Sequence, residues 1–136
     1  MIIAAEFARA QDGKTVQEGK AFVPEVLFEG KYYPICGHYF WDNKDGATAF
    51  CKLLGFKNGK MAITKAKYNV DAMPVGICKA GEELTKCTGG GNAWGNFAYN
   101  DGGCKKGQEV GVTVTCDSYG MCRWGTNDLD VFDVSW

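Results

Sequence analysis

Seven cysteines in a chain of 136 residues restrict what it can fold into more than any other feature: Cys36, Cys51, Cys78, Cys87, Cys104, Cys116 and Cys122. No C-x-x-C pair occurs, and His38 is the single histidine. Structural zinc sites are built from closely paired ligands, so this spacing argues against a zinc framework. Widely spread cysteines at this density fit disulfides formed in an oxidising compartment. The odd count leaves one thiol without an internal partner, and spacing alone allows 7 × 15 = 105 arrangements.

The stretch FWDNKDGATAFCKLLGF, residues 40–56, reads as one amphipathic helix. Asp42 or Asn43 can cap its start, and Asp45 falls in the first turn, where negative charge is favoured. Ala47, Phe50, Cys51 and Leu54 recur with helical spacing on one buried face, and Gly55 supplies a left-handed stop. Further on, EVGVTVTC alternates with period two, which puts Val110, Val112, Val114 and Cys116 on one face. A helix face and a strand face buried against one core can bring Cys51 and Cys116 within bridging distance. Such a bridge would close a loop worth about 4 kcal/mol by chain-entropy reasoning.

Upstream, AFVPEVLFEGKYYPIC reads as a hairpin. Runs Phe22–Phe28 and Tyr32–Cys36 flank a Glu29-Gly30 turn, and Pro34 confines the second strand to an edge or a bulge. KMAIT and AMPVGICKAG read as short extended segments. Residues 88–103, TGGGNAWGNFAYNDGG, form a long glycine-rich loop held down by Trp94, Phe97 and Tyr99.

Nineteen glycines against three prolines support a loop-rich fold rather than a disordered chain. The opening MIIAAEFARAQDGKTVQEGK has too short an apolar run for a signal peptide, because Glu6 interrupts it. Residues 1–20 are expected to be a linker or appended segment, with the export signal elsewhere or removed. Residues 21–117 form the domain, and 118–136 a C-terminal extension whose Val131–Val134 run could add a strand. No apolar run approaches the roughly 18 residues that a spanning helix needs. A net charge of −1 offers nothing to nucleic acid or to direct membrane insertion. The basic residues Lys57, Lys60, Lys65, Lys67, Lys105 and Lys106 read as a solvated face.

Several ordered motifs together resemble the scavenger receptor cysteine-rich (SRCR) family, from about Phe22 to Cys116. VPEVLFEGKYYPIC resembles its opening hairpin and WDNKDGATAFCKLLGF its helix. CKAGEELTKC is similar to its short cysteine loop, AWGNFAYNDGGC to its tryptophan-glycine approach, and QEVGVTVTC to its closing strand. The resemblance implies an α+β fold: a small disulfide-rich domain with a curved antiparallel-type sheet of about five to six strands cradling one α-helix, with long loops. It implies the pairs Cys36–Cys104, Cys51–Cys116 and Cys78–Cys87. Phe56 stands where the eight-cysteine form carries another cysteine, which supports the six-cysteine form. Cys122 falls outside the pattern, either unpaired or available for a covalent dimer.

The resemblance also implies an extracellular, non-enzymatic recognition and adhesion domain. Its ligands would be proteins, microbial surfaces or polyanions, and it would be one module of a larger secreted or membrane-anchored protein. The rivals are a structural spacer and an accessory domain of a secreted multidomain enzyme. A catalytic reading would need His38 beside a free thiol such as Cys122, with no evident orienting partner. TGGGNAWG is not a phosphate loop, since no lysine-serine or lysine-threonine follows.

Two candidate sites follow from the resemblance and one from the residues alone. Nothing in the chain requires a cofactor. Family members often bind calcium with two acidic residues after the first paired cysteine plus the closing-strand glutamate. Here Gly37 and His38 replace the acidic pair, Glu109 is retained, and Asp42, Asp45 and Asp101 are the remaining candidates. Asp42 and Asp45 are equally explained as helix-start residues. The hairpin residues Glu25, Val26, Leu27 and Tyr32 resemble a surface-binding peptide of the family, although cross-strand pairing explains them too. Trp94, Phe97 and Tyr99, on a loop, could be binding anchors or could pin that loop over a thin core.

Overall fold

A computed structural model describes residues 7–98 and 103–119. Its first sheet is antiparallel, in the order β1 (Ala8–Ala10), β2 (Pro24–Phe28), β3 (Lys31–Pro34). The β2–β3 turn has positive φ at both central residues, Glu29 at 50° and Gly30 at 82°. That is the geometry a two-residue hairpin turn needs to follow strand twist. Pro34 ends β3, the edge strand, where its missing N–H costs the ladder little.

Strand β1 lies inside the stretch that the sequence assigns to a linker. Ala8 and Ala10 are 0% and 2% exposed and pair with Val26 and Pro24. Ala-Arg-Ala has no strand propensity of its own, so the pairing comes from burial against β2.

A short 3₁₀ turn, Phe40–Asp42, leads into α1 (Asp45–Leu53). The Asp45 N–H donates to Asn43 Oδ1 at 2.9 Å, and Asn43 Nδ2 donates to the Cys78 carbonyl at 3.1 Å. Gly46, Ala47, Phe50 and Cys51 form the buried face of α1. Gly55, with φ of 89°, ends it. The chain returns as β4 (Phe56–Ile63), which pairs antiparallel with β5 (Val112–Tyr119), and α1 packs on this second sheet. Val110, Val112, Val114 and Cys116 are all buried, as their alternation requires.

The single curved sheet of five to six strands is therefore replaced by sheets of three and two. Phe22 and Val114 exchange both backbone hydrogen bonds, at 2.9 and 2.8 Å, and so link the two. The next hydrogen-bonded pair in that register would need an N–H from Pro24, which has none. The continuous ladder stops there.

Cys36 is bonded to Cys104, Cys51 to Cys116 and Cys78 to Cys87, with Cα separations of 5.4, 5.5 and 4.5 Å. All six cysteines are buried. The main core gathers Val26, Ile35, Phe40, Phe50, Met73, Val112 and Val114 around the Cys51–Cys116 bridge. A smaller cluster surrounds Cys36–Cys104. No helix among the described residues is long and apolar enough to cross a membrane. Cys122 and Val131–Val134 lie outside the described residues.

Candidate functional site

Side chains alternate across a strand, so the hairpin segment Glu25–Val26–Leu27 cannot present all three residues to one ligand. Val26 is 0% exposed and belongs to the core. Glu25 and Leu27 share the opposite face, where Arg9 stands beside Glu25 and Tyr32 beside Leu27. Arg9 ties this face together. Its Nε donates to Glu25 Oε1 at 2.9 Å while its guanidinium lies 3.6 Å from the centroid of the Tyr32 ring.

The rim of the same sheet is aromatic. Phe28 and Tyr33 from the hairpin meet Trp94 and Phe97 from the glycine-rich loop. Centroids are 6.2 Å apart for Phe28–Trp94, 5.7 Å for Phe28–Phe97 and 4.8 Å for Tyr33–Phe97. Phe7 extends the cluster to Trp94 at 5.5 Å. The loop can come this close because residue 95 is glycine: a Cβ there would lie 2.9 Å from the Phe28 ring, and its φ is 75°. Two cations border the rings. The Lys31 ammonium lies 5.2 Å from the Tyr33 centroid, and Lys105 Nζ donates to the Phe97 carbonyl at 2.9 Å. All five rings are half-buried, so they pin the loop and still present surface.

Phe28 and Tyr33 share the Val26 face of the hairpin, so the nominated loop residues Trp94 and Phe97 pack on the side opposite to the nominated Glu25, Leu27 and Tyr32. Tyr99 lies outside the described residues. Arg9, on the Glu25 face, and Lys31, Phe28 and Tyr33, at the aromatic rim, are absent from the sequence-based candidates. Phe28 and Tyr33 were within reach of strand alternation; Arg9 carried no local signal.

Among the described residues, the acidic candidates do not converge. Asp42 is exposed in the 3₁₀ turn, Asp45 lines a groove between α1 and the Cys78–Cys87 loop, and Asp101 lies outside the described residues. Glu109 lines a separate pocket of about 280 Å³ with His38, Trp41, Lys65, Gln108 and Val110. Calcium takes six to eight oxygen ligands with several carboxylates. One carboxylate beside an imidazole and an ammonium is a poor fit to that requirement. Among the described residues, no three His, Cys, Asp or Glu side chains are grouped to hold a metal ion.

No protein-family model matches the chain, and no curated protein does. Among solved structures, the SRCR domain of mouse MARCO, crystallised in its dimeric form, matches with a TM-score of 0.53. The likeness covers 76% of this chain and 93% of that one, at 23% identity. The fold is SRCR-like. In this SRCR-like frame the helix and the two sheets hold the bridges inside, while the hairpin face, the aromatic rim and the His38 pocket are carried on strands and loops around them. The six lysines read as a solvated face, at positions 57, 60, 65, 67, 105 and 106, are all exposed on it.

Proposed function

We propose that the chain is a non-catalytic extracellular recognition or adhesion module of a larger secreted or membrane-anchored protein. The observation that carries this reading is the joined surface of Phe28, Tyr33, Trp94 and Phe97, bordered by Lys31 and Lys105 on a disulfide-braced sheet. Half-exposed aromatics with flanking cations, held on a rigid scaffold, are what a binding hot spot needs. Three buried bridges favour an oxidising compartment. Phe56 packs in the core at the position where the eight-cysteine form has a cysteine, which supports the six-cysteine form.

Its ligands are proteins, microbial surfaces or polyanions. Dimeric crystallisation of the MARCO domain is in keeping with protein contacts by this fold. Cys122 is the residue we assign to covalent pairing with another chain.

Binding of the oxidised domain to immobilised heparin and to whole bacterial cells, compared with a Trp94→Ala/Lys31→Ala variant, tests the reading. We expect binding to at least one of these probes and its loss in the variant. A spacer would bind neither probe, and an unchanged variant would place binding elsewhere.

A further inference from the structure

The pocket around Glu109 is assembled by backbone contacts among three segments. Gly37 N–H donates to the Val110 carbonyl at 2.7 Å, which sets the His38 segment against the Glu109 segment. Thr64 and Lys65 N–H both donate to the Gly111 carbonyl, at 3.0 and 2.9 Å, and Lys67 forms an isolated bridge with Glu109. Lys65 is held in the left-handed region, with φ of 57°. His38 is fixed by its rings' neighbours, 4.3 Å from Tyr39 and 6.4 Å from Trp41, centroid to centroid. The backbone that carries these residues is therefore positioned by the fold, and their charges decide what enters.

Those charges are wrong for calcium. Glu109 brings one negative charge and Lys65 one positive charge, so the pair offers a dication no net attraction, and the imidazole of His38 suits softer metals. We propose that in this chain a lysine has replaced the ion: the pocket of His38, Trp41, Lys65 and Glu109 excludes calcium because Lys65, which lines it, brings a positive charge of its own. This inference does not depend on the recognition reading. It makes whatever the neighbouring loops bind insensitive to chelators.

Calorimetric titration of the oxidised full chain with CaCl₂, alongside terbium luminescence sensitised by Trp41, tests it. We expect no saturable calcium heat and no sensitised terbium signal from the wild type. Lys65→Glu, at an exposed position, should gain saturable binding of both ions, and His38→Asp/Lys65→Glu should tighten it by roughly tenfold or more. Saturable wild-type binding that Glu109→Ala abolishes would overturn the proposal. So would a folded Lys65→Glu variant, judged by near-ultraviolet circular dichroism, that stays as silent as the wild type: exclusion would then lie in the pocket's shape rather than its charges.

Discussion

The rings of Tyr33 and Phe97 lie 4.8 Å apart, centroid to centroid, although one belongs to the hairpin and the other to the distant glycine-rich loop. Phe28 backs both, at 6.5 Å from Tyr33 and 5.7 Å from Phe97. A loop with little regular backbone pairing is fixed to the sheet largely by side chains.

Removing that anchor should therefore loosen the loop before it unfolds the domain. Phe97→Ala is expected to cost about 1–2 kcal/mol, less than a fully buried ring because Phe97 is half-buried. Urea unfolding reads the loss, and limited proteolysis should show new cleavage within residues 88–98. Protection equal to the wild type would mean that the rings do not hold the loop.

Arg9 joins Glu25 and Tyr32 in one contact set, and Glu25 is only 10% exposed at its side chain while Arg9 is 31% exposed. Arg9→Ala leaves the carboxylate without its guanidinium and should cost about 1 kcal/mol after allowing for solvent screening. Arg9→Lys should recover little, since an ammonium cannot lie flat on Tyr32 while donating to Glu25. A double-mutant cycle with Glu25→Gln measures the coupling; a value near zero would contradict it.

How much of this was legible beforehand depended on whether a signal was local. The helix face of Ala47, Phe50 and Cys51 and the alternation from Val110 to Cys116 are both written in residue spacing, and both are buried as read. The Glu29-Gly30 turn is equally local. Strand β1 is not: Ala8–Ala10 becomes a strand through β2, many residues away. KMAIT is only the end of β4, because Phe56–Lys60 carries too many polar residues and a glycine to read as a strand. For the surface sites, residue types pointed to Tyr32, Trp94 and Phe97, but nothing in the order of residues places Phe28 between hairpin and loop. The carboxylates Asp42 and Asp45 looked like partners of Glu109 only because sequence proximity to a motif was the available guide.

Gly59 is the reason the helix can lie so close to β4. A Cβ there would sit 2.5 Å from the Ala47 carbonyl oxygen and 2.6 Å from Cys51 Sγ, so the obstruction is backbone and a bonded sulfur. Gly59→Ala should destabilise the domain by about 2 kcal/mol or more, in the range of overpacked cores. Gly107→Ala meets nothing within 4 Å, so it reports only the backbone penalty of φ at 85° and should cost less. Thermal denaturation of the two variants side by side checks the order.

Tyr68 predicts an alkaline loss of stability. Burial raises its hydroxyl above the ordinary value of 10.0, the hydrogen bond from Val112 N–H opposes this, and Glu25 adds to the rise. The unfolded chain therefore releases this proton at lower pH than the folded one, and stability falls as pH climbs above about 10. Tyr68→Phe should flatten that part of the profile. Urea midpoints of wild type and variant across this range provide the comparison, and parallel profiles would exclude Tyr68 as the cause.

The disulfides carry the greatest weight. Cys51–Cys116 spans 65 residues and sits inside the main core, so its loss should cost about 4 kcal/mol, a large share of the stability of a domain this size. The most direct measurement is thermal unfolding of the oxidised and the fully reduced chain, with reduction verified by thiol counting. We predict that the reduced chain loses its cooperative transition or melts far lower. A reduced chain that unfolds cooperatively at the oxidised chain's temperature would contradict the claim that covalent bridges, rather than apolar packing alone, hold this fold.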